Sequence, residues 1–247
     1  MSIPPRARPS PNIWHYPQTY ELENRWMDPD GALPAAIRSV HDWSGQTVLD
    51  VGCGTGFHLP GWAASARFTI GLEPHLPLAH AARERSSRMG HAPHHAVGPD
   101  TGTWRGGVAV ICGLAEQLPL PDRSVDLAHA RCAYFFGPGS EAGLAELTRV
   151  IRPGGAAVVI DHDATRSTFG SWFRRERPAY DPLAVERFWR RHGWTPLRLL
   201  LHWQMPTRAA FEAVIRIEFT PATAEAALIE CAGAGVDHAV NLWWRRF

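Results

Sequence analysis

Cysteine is scarce in this chain of 247 residues: Cys53, Cys112, Cys132 and Cys231 stand apart, with no CxxC pair among them. Such spacing speaks against a zinc knuckle and a disulfide framework, and predicts reduced thiols in a cytoplasmic protein. An excess of either charge is missing as well. With 25 Lys plus Arg against 24 Asp plus Glu, no basic field marks a nucleic-acid partner. Residues 1–12 lack an apolar segment and hold Pro4, Pro5, Pro9 and Pro11. They read as a disordered leader rather than a signal peptide or membrane anchor, and no membrane partner is expected. No sustained heptad is present, so the oligomeric state is not legible. What the chain does have is length enough for one larger α/β domain with additions. It also has eleven tryptophans, which suit either a core or an aromatic substrate pocket.

Its most informative stretch is Val48-Leu-Asp-Val-Gly-Cys-Gly-Thr-Gly-Phe57, an apolar run that ends in an acid and enters Gly52, Gly54 and Gly56. That pattern predicts a buried strand over Thr47–Val51, a tight turn and a helix over Leu59–Ser65, with the glycines letting a ligand approach the backbone. Phe57 stands where a dinucleotide fingerprint needs a third glycine or alanine, which counts against a nicotinamide oxidoreductase. Arg67 to Glu73 is a second apolar run ending in an acid, placed for the ribose hydroxyls of an adenosine ligand. A helix over Leu76–Arg88 follows. Residues 90–107, with His91, His94 and His95, read as an inserted surface loop, and no metal site is predicted.

Strands are expected at Val108–Cys112, Asp126–Arg131 and Ala156–Ile160, with a helix capped by Ser140 before the last. Five alternations of strand and helix imply a parallel sheet with right-handed crossovers. Asp181 opens a helix that Gly193 ends. Two further strands, Leu197–Trp203 and Val236–Trp244, bracket a two-helix insert at about 206–235, whose helices Thr207 and Thr220 would cap. The organisation read from this is residues 1–30 as leader and lid segment, then one domain over 31–247.

The glycine turn, Glu73, the run Gly113-Leu-Ala-Glu-Gln-Leu-Pro-Leu-Pro-Asp-Arg-Ser-Val-Asp126 and the corner Arg152-Pro-Gly-Gly155 occur in the order found in one family. Together they resemble the class I S-adenosylmethionine (SAM) dependent methyltransferases, in particular the branch that includes ubiquinone and menaquinone biosynthesis enzymes. The resemblance covers roughly residues 46–161. It implies a Rossmann-like seven-stranded, mostly parallel α/β sheet closed by an antiparallel strand pair. It also implies SAM as cofactor, S-adenosylhomocysteine (SAH) as product, and methylation of a small organic acceptor such as an aromatic or secondary metabolite. Carried over residue by residue, the cofactor site comprises Asp50, Gly52, Cys53, Gly54, Thr55, Gly56, Glu73, Pro74, Leu114, Ala115, Glu116, Ala130 and Arg131. Leu114 replaces the usual adenine-side acid, and Tyr134-Phe-Phe136 lacks the family's paired histidines. Those departures keep a second reading open, a SAM-binding protein that transfers no methyl group.

An acceptor that must lose a proton needs a base. His162, flanked by Asp161 and Asp163 after the fifth strand, is the first candidate, with Tyr134 and His129 next. For His129 a hydrogen-bonded core histidine is the competing reading. Trp14, Tyr16 and Tyr20 lie in a polar and aromatic segment that either folds over the ligand or packs as an ordinary helix. With Tyr134 and Trp172 they are the candidate acceptor contacts, and Arg174, Arg175 and Arg177 could attract a carboxylate or phosphate.

Overall fold

Uninterrupted apolar runs set the strands. In the computed structural model, which describes residues 9–88 and 107–247, β1 (Thr47–Val51) and β2 (Phe68–Leu72) are buried at every position. Burial of both faces is the mark of parallel strands covered by helices on each side. With β3 (Gly107–Ile111), β4 (Val125–Arg131), β5 (Ile151–His162), β6 (Thr195–Gln204) and β7 (Gly235–Arg246) they form one seven-stranded sheet in the order β3-β2-β1-β4-β5-β7-β6. The first five strands pair in parallel, and β7 runs antiparallel to both β5 and β6. This is the Rossmann-like architecture that the sequence predicted.

The strand order reverses beside β1, so the carboxyl ends of β1, β2 and β4 open a crevice along one edge. Register places Asp50 opposite Gly71 on one side and His129 on the other. One face of the sheet packs Leu49, Val159 and Trp243 against α6 (Glu141–Val150) and α8 (Pro182–Arg191). The other packs Val48, Leu127 and Val158 against α3 (Ala32–Val40), Trp43 and Trp62. A third cluster joins α7 (Thr168–Glu176) to the insert helices α9 (Arg208–Glu218) and α10 (Pro221–Glu230) through Trp172, Trp203, Phe211 and Val214. The N-terminal helices α1 (Pro11–His15) and α2 (Pro17–Trp26) pack on α9, and Asn12 donates to Glu218 at 2.6 Å.

Several boundaries differ from expectation for local reasons. β5 starts at Ile151, not Ala156, because Ile151 already pairs with Val125; Arg152 to Gly155 then bulge out of the ladder, with Gly154 at a φ of 85°, before Ala156 resumes beside Leu127. Ser140 occupies the N-cap of α6 yet caps nothing, since its hydroxyl donates to the Gly137 carbonyl instead. The Thr220 hydroxyl is likewise taken, by Glu176. Asp181 and Thr207 do cap their helices, accepting from backbone N–H groups two or three residues on. His91, His94 and His95 lie outside the described residues. Among the described residues no helix is long and apolar enough to cross a membrane.

Candidate active site

The turn after β1 is built from left-handed backbone at Gly52 and Gly54, with φ of 74° and 56°. A side chain at either would also be obstructed. A Cβ on Gly52 would overlap the Ala133 methyl, and one on Gly54 would come within 2.6 Å of Ile13 Cδ1. The turn is fastened to β2 because the N–H groups of Gly52 and Cys53 both donate to the Leu72 carbonyl. Gly56, expected at the ligand, packs instead on Ala82 and Leu59 and is no wall of the cleft.

Glu73 follows β2 and is buried. Its carboxylate accepts from the N–H groups of Gly54 and His75 at 3.0 and 2.8 Å. Burial outweighs those two bonds and pushes its pKa up to about 7. Pro74, Leu114, Ala115 and Glu116 continue the same wall, and Cys53 and Thr55 line it nearer the glycine turn. The Cys53 thiol is buried, and burial raises its pKa.

The carboxyl end of β4 supplies the opposite wall. His129 Nδ1 lies 2.7 Å from Asp50 Oδ1, and both side chains are buried. The imidazole packs on Trp62 at 4.9 Å between ring centres and borders the cleft, so the carboxylate fixes which way it faces. Alternation sends Ala130 to the other face, into the core, and brings Arg131 back to the cleft. Cys132 and Tyr134 follow with φ of 48° and 51°, an uncommon conformation for residues with a Cβ. Trp14, Tyr20, Asn24, Tyr134 and Phe136 complete the enclosure, with Trp14 stacked on His75 at 4.6 Å.

His162 does not reach this cleft, and its partners disqualify it as a base. An indole N–H can only donate, so Trp203 Nε1 obliges His238 Nδ1 to accept, at 2.9 Å. His238 then carries its proton on Nε2 and donates to His162 Nδ1, again at 2.9 Å. His162 is left with its proton on Nε2, facing Cys132 Sγ at 3.9 Å. Burial lowers its pKa to about 4 and lowers that of His238 strongly. Asp163 turns to Arg166, so the Asp-His-Asp triplet does not converge. Trp172 is another correction: it is fully buried in the third cluster and donates to Glu230. Tyr16 is exposed and lines no part of the cleft, and Arg175 is likewise engaged by Glu230. The sequence reading missed Ile13, Asn24 and His58, and of these only His58, two residues past the last glycine of the turn, carried a positional signal.

Residues 49–159 match the model of the family described as methyltransferase domain. Over that stretch the chain carries a methyltransferase domain. A malonyl-[acyl-carrier protein] O-methyltransferase of Serratia marcescens is 32% identical over 111 residues, 45% of this chain and 36% of that protein. The rice 2-methyl-6-phytyl-1,4-hydroquinone methyltransferase 1 is 30% identical over 131 residues, 53% of this chain and 34% of its own length. The chain thus aligns with little more than a third of these relatives. A SAM-dependent methyltransferase of Aquifex aeolicus shares the fold at a TM-score of 0.54 and 17% identity, over 95% of this chain and 99% of that one. The residues present fit SAM, the cofactor that the resemblance in sequence implies. Backbone without side chains borders the cleft at Gly52 and Gly54, an acid stands at the β2 end, and Asp50 Oδ2 is buried without a partner.

Proposed function

We propose that the protein methylates a small organic acceptor, with Glu73 receiving the ribose of SAM, the Gly52–Gly54 turn its methionine half, and Leu114, Ala115 and Glu116 its adenine. SAM supplies a methyl group already activated on a sulfonium sulfur. The chain's part is to hold an acceptor in line, to exclude water, and to take a proton where the acceptor carries one. The observation that carries this reading is the Asp50–His129 pair bordering a cleft enclosed by Tyr20, Tyr134 and Phe136. His129 is the base the arrangement favours, because the Asp50 carboxylate holds the ring in place at the cleft. An enclosure of aromatic side chains suits a small molecule better than a polymer. Calorimetry with SAM, SAH and NAD, followed by a mass-spectrometric screen for methylated products, tests it. Binding of NAD in place of both SAM compounds, or SAM binding without any methylated product, would sink it.

Glu73 gives this reading a pH signature. Its carboxyl is protonated below about pH 7 in the folded chain, and the carboxylate accepts from ribose hydroxyls more strongly than the neutral acid does. SAH affinity should therefore rise as pH is raised through 7, and Glu73→Gln should flatten the profile. By the same linkage this group stabilises the empty fold below its unfolded pKa, and that contribution is lost as pH rises through 7. A wild-type affinity that stays level from pH 6 to 8 would remove Glu73 from the ligand.

The N-terminal helices act as the lid. Glu21 on α2 accepts from the Thr55 hydroxyl at 2.8 Å and pairs with Arg85 on α5 (Leu76–Arg88), which also donates to the Thr55 carbonyl. Glu21→Ala should speed SAH dissociation by about tenfold, the worth of one charge-assisted bond. Stopped-flow displacement reads this directly, and an unchanged off-rate would mean that the helices are not a gate.

A further inference from the structure

Arg131, expected at the cofactor from the resemblance, is a cation in the cleft that none of these steps uses. A guanidinium stays charged at any pH the fold survives. Its Nη1 lies 3.3 Å from His58 Nε2, and burial, reinforced by the guanidinium, holds that imidazole neutral and able to accept. Its Nη2 is buried with no partner. Among the described residues no carboxylate lies within 4 Å of Arg131, although the chain pairs many of its other arginines with acids. The nearby acids are otherwise engaged. Asp50 faces His129, and Glu73 is held by two backbone N–H groups. Glu218 accepts from Asn12, and Glu23, whose Oε2 is buried without a hydrogen-bond partner, is driven like Glu218 towards the protonated form by burial.

We propose that Arg131 is the anion-receiving subsite of the acceptor pocket, built for a carboxylate on the small molecule to be methylated. The proposal rests on the methyltransferase reading and narrows its acceptor. A guanidinium offers parallel N–H donors that match the two oxygens of a carboxylate, and here one of its nitrogens is left over. Tyr20, Tyr134 and Phe136 line the same cleft and suit the ring or chain that would carry the charge. Position argues for the acceptor over the cofactor. Glu73 stands at the end of β2 and Arg131 at the end of β4, with β1 between them, a separation of two strand spacings or roughly 10 Å. The methionine half of the cofactor belongs to the β1 turn, so the guanidinium stands beyond it. The guanidinium has no ion-pair partner among the described residues, and an anionic acceptor would supply one.

Benzoate and its neutral isostere benzamide test this, titrated by ligand-observed NMR into the wild type, Arg131→Met and Arg131→Lys, each with and without SAH. Circular dichroism and melting establish that each variant is folded, and Arg131→Lys preserves the charge should Arg131→Met unfold. Benzoate should bind the wild type about tenfold more tightly than benzamide, with that preference lost in Arg131→Met and partly kept in Arg131→Lys. SAH affinity should stay within about threefold across the three proteins. Equal binding of benzoate and benzamide to the wild type overturns the proposal, as does a preference that survives Arg131→Met. It is also overturned if Arg131→Met weakens SAH but spares methylthioadenosine, which has no carboxylate, because the guanidinium then holds the cofactor. Failure of the wild type to bind SAH would instead sink the methyltransferase reading, and the titrations without SAH would still decide the role of Arg131.

Discussion

Gly52→Val should abolish measurable SAH binding, a loss of more than about a hundredfold. Two effects act together at this position. A β-branched residue is a severe outlier at a φ of 74°, and its Cβ would overlap Ala133. Ala133 has little freedom to retreat, since Cys132 and Tyr134 on either side of it already sit in the left-handed region. The β1 turn and the β4 end would be wedged apart, and both are walls of the cleft. Gly31→Val is the matched control: Gly31 has a φ of 70° but open space around its Cβ position. It should cost stability through backbone strain alone and leave binding intact. If Gly52→Val keeps SAH affinity within about threefold, the turn is not where the ligand lies.

His129→Gln should lower turnover of an acceptor that loses a proton by 10²- to 10⁴-fold, the usual contribution of general-base catalysis. The amide can still donate to Asp50, so the substitution removes basicity without leaving a buried carboxylate bare. SAH affinity, measured separately, should hold. His162→Asn should behave differently, because it breaks a neutral chain from Trp203 to Cys132 and is expected to show as a lower melting temperature with kcat nearly kept. Turnover that survives His129→Gln but collapses in His162→Asn would reverse the assignment.

The donor half of the cleft could be read from the chain because it is local in sequence. A strand, a glycine turn and a strand-end acid fall within Val48 to Glu73, and each residue type is dictated by one steric or hydrogen-bonding demand. The acceptor half is assembled from distant pieces. Tyr20 and Asn24 arrive on α2, His58 after the turn, and Arg131 and Tyr134 from the end of β4. Nothing in their spacing announces that they meet. The protonation of His162 was equally hidden, since it is decided by Trp203 and His238, and an acidic flank in sequence gave the opposite impression. Trp172 illustrates a further limit. Its ring suited a pocket or a core, and only the packing of α7 on α10 selects the core.

The bond between Asn12 and Glu218 spans 206 residues, and through it the first helices of the chain lean on the insert. During synthesis residues 11–26 emerge before any strand of the sheet, yet their seat on α9 does not exist until six of its seven strands have been made. Closing so wide a loop carries a large entropic cost, which is recovered only after the sheet and the insert have formed. The wall made before the sheet can dock only after most of it exists, so a nascent chain can hold six strands and still have an open cleft.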